Sequence, residues 1–286
     1  MAVTVPRHRF PADDAAERAQ RLDAGVQSKI AALEGSPRGF NMAFHSSLLA
    51  ANTHLAVNPD ASLLPTWEAV VTAMQIGSAL FASATATGET VECRIAHKVR
   101  TIRATGPTYS TDAGNWVMAF FLAVICRDKD RATELANVPV SLLRESGAEY
   151  DEYIYAWVET LQPWLLGNGD LGEKLTAAMD GTDPDVLRIA DREMMPRIIY
   201  PPINLFYRYI IGDQQAFNAE LAKALEWHKE YWTKDEERAS ESTGQVAWEP
   251  LAITCLAHDA GFPIEVESDY LPKHLIERSW VGELDT

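Results

Sequence analysis

The chain has 286 residues, 47% hydrophobic and 23% charged, which is ordinary globular usage and excludes a chain disordered throughout. Asp and Glu number 41 against 25 Lys and Arg, a formal charge of −16. Such a surface repels phosphate backbones, which argues against non-specific nucleic-acid binding, and attracts a basic protein.

In chain order, residues 12–34 read as a helix that ends near Gly35 and Pro37, and residues 40–56 as a second that stops before Asn58-Pro59-Asp60. Thr66 is placed to cap a third, in which Trp67, Val70, Val71, Met74 and Phe81 recur at helical spacing. The pattern then changes. Val91, Cys93, Ile95, His97 and Val99 alternate with Glu92, Arg94, Ala96, Lys98 and Arg100, so 90–103 reads as a strand or hairpin. This stretch is also the most basic of the chain.

From Trp116 to Cys126 every residue is apolar, the signature of a helix buried on all sides. The run is too short to span a bilayer, which needs roughly 20 residues. Helices over 128–136, 139–146 and 149–166 follow. The Gly-rich stretch 167–183 reads as a linker with a short helix inside it. Beyond it lie helices over 184–194, 196–211, 213–233 (capped by Asp213) and 249–260, an extended piece at 264–267, and a last helix over 271–280. The expected architecture is mainly α: two lobes of antiparallel helix pairs, 1–166 and 184–286, with a small β-hairpin near 90–103.

Cys93, Cys126 and Cys255 are odd in number and far apart, which fits a reducing compartment and no disulfide framework. Met1 to Phe10 has no apolar core of a signal peptide. The expected location is therefore cytoplasmic, with no membrane partner.

Enzymatic signatures are scarce. Gly167-Asn168-Gly169-Asp170-Leu171-Gly172 fits a dinucleotide fingerprint in letters, but it follows a helix rather than a strand and reads as a helix stop. No metalloprotease, di-iron, P-loop or hydrolase motif is present. His228 lies on an apolar stripe with Phe217, Leu221, Leu225 and Trp232, and Cys255 and His258 lie on the next helix. These three are read as core side chains, with no metal and no cofactor expected.

Two acidic clusters stand out. Glu149, Asp151 and Glu152 precede Tyr153, Tyr155 and Trp157. Asp259, Glu265, Glu267 and Asp269 run into Tyr270, within a C-terminal stretch that also holds Glu277, Glu283 and Asp285. Carboxylates beside aromatic anchors suit a basic protein partner as well as they suit a solvated face.

Several longer words resemble the immunity 49 family of bacterial polymorphic toxin systems. They include Thr66-Trp67-Glu68-Ala69, Ala73-Met74-Gln75-Ile76-Gly77-Ser78-Ala79-Leu80-Phe81, Ala104-Thr105-Gly106-Pro107, Asp112-Ala113-Gly114-Asn115-Trp116 and Ala123-Val124-Ile125-Cys126-Arg127. Tyr200-Pro201-Pro202-Ile203-Asn204-Leu205-Phe206, His228-Lys229-Glu230-Tyr231-Trp232 and Asp259-Ala260-Gly261-Phe262-Pro263-Ile264 extend the likeness from about residue 60 to the end. The resemblance implies an immunity protein that neutralises a cognate toxin by binding it. Glu149, Asp151, Glu152, Asp259, Glu265, Glu267, Asp269 and Tyr270 are then the candidate contacts, for a toxin expected to be basic. The rival reading is an enzyme or small-molecule binder of secondary metabolism. Its pocket between the lobes would use His97, Arg100, Asp112, Asn115, Trp116, His228, Tyr231 and Trp232. A scaffold for protein assembly is a third possibility.

Overall fold

The computed structural model describes residues 2–11 and 14–284. Residues 12 and 13, where the first predicted helix begins, and Asp285 lie outside the described residues. Helix dominates, with thirteen α-helices and two small two-stranded sheets among the described residues.

Helices α1 (Ala15–Leu33), α2 (Phe40–Val57) and α3 (Leu64–Thr85) pack in succession. The start of α3 corrects one expectation. Pro65 sits in its first turn, and Thr66 is already inside the helix. No side chain caps the first-turn amides; Asn58 braces the approach to the helix instead, its Oδ1 accepting from the Leu63 amide at 3.0 Å and from Thr66 Oγ1 at 3.0 Å. A helix start without a side-chain cap leaves no N-cap signature to read.

Strands β2 (Thr90–Ile95) and β3 (Lys98–Arg103) form the predicted antiparallel hairpin. Strand β1 (Val3–Thr4) precedes them in the chain. The turn is Ala96-His97, with φ of 49° and 65°. Two successive positive φ values are the geometry of a type I′ turn, which Asn-Gly adopts more easily. The Gln75 carboxamide of α3 accepts from the Ala96 amide at 2.9 Å and pins the turn. A two-residue turn also reverses which parity faces inward. Cys93 pairs with Arg100, so Arg100 and Ile102 are buried while Val99 is exposed. The unbroken alternation through Val99 therefore ends at the turn.

Helix α4 (Ala113–Cys126) is the centre of the molecule. It packs on α3, on α5 (Lys129–Ala136), on α7 (Tyr153–Leu166) and on α12 (Trp248–Asp259). Asp112 caps it by accepting the Asn115 amide. Trp116 is fully buried, stacks on Phe120 at 5.0 Å and donates Nε1–H to the Leu135 carbonyl at 2.9 Å. Gly77 of α3 lies where a Cβ would meet Phe44 at 2.8 Å and Ala119 at 3.0 Å, so glycine lets α2, α3 and α4 approach closely. The connected core includes residues on both sides of 167–183.

After α6 (Val140–Arg144) and α7, the Gly-rich stretch holds α8 (Leu171–Asp180), which packs back on α7. No helix forms over 184–194, contrary to expectation. Asp183 and Asp191 each accept nearby amides in tight turns, and the loop between them wraps a carboxylate described below. The chain resumes as a π-helical turn at Met195–Ile199 running into α9 (Tyr200–Ile210). Pro196, Pro201 and Pro202 lack amide hydrogens, and the Tyr200 N–H reaches back five residues to the Met195 carbonyl, which accounts for the wider turn.

Helix α10 (Gln214–Trp232) is capped by Asp213 as expected. A short α11 (Glu236–Ala239) and a 3₁₀ turn at Ser242–Gln245 precede α12, and α13 (Lys273–Ile276) is shorter than predicted. The extended piece near 264–267 is strand β4 (Val266–Glu267), which pairs in parallel with an unpredicted strand β1 (Val3–Thr4). Arg7 fixes the N-terminal segment by donating to the carbonyls of Leu55 and Ala56, which close α2.

Candidate functional site

The cluster around Asp151 is largely engaged within the fold. The Asp151 carboxylate is buried and accepts three backbone N–H groups, from Arg188 at 2.8 Å, Ile189 at 3.0 Å and Ala190 at 2.7 Å. Burial alone would raise its pKa, but the three amides outweigh it and hold the carboxyl below the usual range. Glu152 forms a bidentate pair with Arg144 at 2.9 and 2.6 Å, and that guanidinium lies 3.8 Å over the Tyr155 ring. Glu149 is exposed.

The C-terminal cluster divides differently. Asp259 is held by Arg127 at 3.0 and 3.3 Å, and Arg127 also donates to the carbonyls of Ile125, Leu275 and Ile276. Arg127, in a left-handed conformation with φ of 57°, thus ties the end of α4 to α12 and α13. Glu265, Glu267 and Asp269 are exposed and form no ion pair among the described residues, although Asp269 lies in the field of Arg7. Tyr270 is fully buried. Its hydroxyl accepts the His8 amide and lies 2.7 Å from His8 Nδ1, and its ring meets His228 edge-on at 4.9 Å.

The residues considered for a small-molecule pocket have separate surroundings. His97 is exposed at the hairpin tip, and Arg100 pairs with Glu34 at 3.3 Å. Asp112 and Asn115 belong to the α4 cap, where Asp112 also accepts from the Tyr150 hydroxyl at 2.7 Å. Trp116 is in the core. His228 lies 2.9 Å from the Gly244 carbonyl, and burial pushes its pKa down to about 4. Trp232 lies tilted against it at 6.1 Å, Tyr231 meets Trp232 edge-on at 5.3 Å, and the Tyr231 ring carries Arg238. Cys255 is buried against Arg127 and the Leu275 carbonyl, with its thiol pushed up to about 11, while His258 pairs with Asp259. Thus Cys255, His258 and His228 turn to different partners.

Two features were missed by sequence reasoning. One is Glu249, half-buried in the first turn of α12, whose carboxyl burial pushes up to about 8. No motif in the sequence marks it. The other is a groove of about 760 Å³ between the end of α3, strand β2 and α5. Glu92, Asp128, Asp130 and Glu134 line it, with Arg94 and Arg131, so carboxylates outnumber guanidiniums four to two. Asp128 caps α5 and pairs with Arg131 at 3.2 Å. The hairpin read as a basic stretch because its acidic neighbours come from α5, about 35 residues later in the chain. His97 borders a second, smaller cavity of about 140 Å³ with Asp23 and Glu68.

The fold is that of a mainly α protein whose most prominent free chemistry is exposed carboxylate. The family model for Immunity protein 49 matches residues 58–275, and the chain belongs to that family. No curated protein and no solved structure matches it. The matched span includes both acidic clusters, the hairpin and the groove. Within that span Gly77 sits at the helix crossing, Asp112 caps α4 and Arg127 joins three helices.

Proposed function

We propose that this chain neutralises a cognate bacterial toxin by binding it, in the cytoplasm of the cell that makes both. Membership of the immunity family carries this reading. The exposed carboxylates of Glu265 and Glu267 support a basic partner, because charge that forms no ion pair among the described residues is available to a toxin surface. No helix among the described residues is long and apolar enough to cross a membrane, in keeping with a partner met in solution. The residues considered for a small-molecule pocket engage different structural partners, so no observation favours that alternative.

Co-expression tests the proposal. The toxin domain encoded beside this gene is induced in a sensitive host with and without the chain. Restored growth, with recovery of a complex of the two proteins, is the expected result. Killing that the chain does not relieve, with no complex formed, would overturn it.

A further inference from the structure

The groove beside the hairpin has a wall with unused hydrogen-bonding capacity. In an antiparallel ladder, pairs that exchange both hydrogen bonds alternate with pairs that exchange none. The two-residue turn makes Ile95–Lys98 a bonded pair, so Cys93–Arg100 and Val91–Ile102 are bonded too. Thr90, Glu92 and Arg94 therefore direct their backbone amides and carbonyls away from β3. One contact confirms the direction: the Arg94 carbonyl accepts from the Arg131 guanidinium of α5 at 3.0 Å. Nearer the start of β2, the backbone groups of Thr90 and Glu92 have no backbone partner among the described residues beyond the ladder, and both residues line the groove.

An open strand edge is a template for another strand. The groove volume falls within the roughly 300–1,000 Å³ of ordinary binding pockets, room for a short extended segment. Its charge selects the occupant. Asp128 is neutralised by Arg131, whereas Glu92, Asp130 and Glu134 form no ion pair among the described residues, and all three are exposed. A strand laid along β2 would carry its side chains past these carboxylates.

We propose that the outer edge of β2 takes an extended segment of the toxin as a third strand, with lysine or arginine side chains meeting Glu92, Asp130 and Glu134. This rests on the immunity reading and assigns that reading a contact. The backbone of Thr90 and Glu92 supplies the hydrogen bonds, and the α5 carboxylates select a basic segment.

The experiment uses the full chain and the toxin domain encoded beside it. Amide hydrogen exchange is measured on the free chain and on the complex, and affinity is measured for Glu92→Pro and Glu92→Gln. Proline at position 92 removes an outward amide without removing a ladder bond, so melting should stay near wild type. The expected result is slowed exchange at Thr90 and Glu92 in the complex. Affinity should fall about tenfold in Glu92→Pro and less in Glu92→Gln. A complex in which both amides exchange at the free rate overturns the groove contact and leaves the immunity reading standing. Protection that grows with the concentration of the chain alone assigns the edge to a second copy and also overturns it. Absence of any complex overturns the immunity reading itself, and this contact with it. Where Glu92→Pro fails to fold, exchange in the wild-type complex decides.

Discussion

The two acidic clusters look alike in sequence and differ in use. Around Asp151, one carboxylate is buried under three backbone amides and its neighbour Glu152 is clamped by Arg144. Near the C-terminus, Asp259 is engaged by Arg127, but Glu265, Glu267 and Asp269 stay exposed without ion pairs among the described residues. A carboxylate that completes a loop contributes to stability. One with no internal partner contributes long-range field and little else. Net charge alone therefore does not say how much charge a partner would meet.

The comparison can be broken by mutation, and Trp116 sets the scale for an interior residue. Trp116→Ala removes a fully buried ring, its stack on Phe120 and its hydrogen bond, and should cost about 3–5 kcal/mol in denaturant melts. A loss below about 1 kcal/mol would contradict its place at the heart of α4. Asp151→Asn comes next. It replaces an ionised acceptor and turns an amide group towards three N–H donors, for a loss of about 2–3 kcal/mol at neutral pH. Because the folded pKa is depressed, this contribution is present above the unfolded value near 4 and lost as pH falls through the folded value. Wild type and variant should therefore converge in acid. A constant gap down to pH 2 would mean the carboxylate charge is irrelevant to the loop.

Glu249 sharpens the contrast from the other side. Burial raises its carboxyl to about 8, so the folded state binds a proton that the unfolded state releases near 4.3. Its contribution is then full below the unfolded value and lost as pH rises towards 8. Glu249→Gln should match wild type near pH 4 and exceed it at pH 8 by up to about 5 kcal/mol. Equal melting at both pH values would mean that the carboxylate is well solvated. Arg144→Ala should cost under about 1 kcal/mol, because its pair with Glu152 lies at the surface.

The helices were legible wherever an apolar stripe or a local cap announced them. Trp116 to Cys126 reads as a buried helix, and Asp213 as a cap, because those signals lie within a few residues of the element. The predictions failed where the partner was remote. Asn58 braces the approach to α3 from the preceding turn, Asp151 holds the loop over 184–194 open from 37 or more residues away, and β1 pairs with β4 across nearly the whole chain. Parity through the hairpin was lost because Ala96-His97 is not a standard turn pair and Gln75 of α3 holds it. At the sites, sequence shows that acids cluster but not whether the fold uses them. The buried positions of Asp151 and Tyr270 follow from tertiary contacts. The groove beside β2 was invisible because it joins segments that are far apart in the chain.

The smallest expected effect on stability belongs to the exposed pair Glu265 and Glu267, and it bears most directly on function. Neither side chain makes an ion pair among the described residues, so changing both to Lys should move melting by less than about 0.5 kcal/mol. The amide of residue 265 still donates to Asn218 Oδ1, and the carbonyls of 265 and 267 still accept from Val3 and Val5, because these bonds use the backbone. If the face steers a basic toxin, reversal should slow association and flatten its salt dependence, since steering is screened over about 10 Å at 0.1 M salt. The same reversal at Glu149 and Glu152 is the control. It reverses two exposed carboxylates, but one of them, Glu152, is already paired with Arg144, so it should alter association less than the C-terminal reversal does. Stopped-flow kinetics against the neighbouring toxin domain at two salt concentrations separates the cases. Equal slowing by both pairs would assign the effect to net charge rather than to a face. Unchanged rates in both would remove acidic steering from the account and leave short-range contacts to carry recognition.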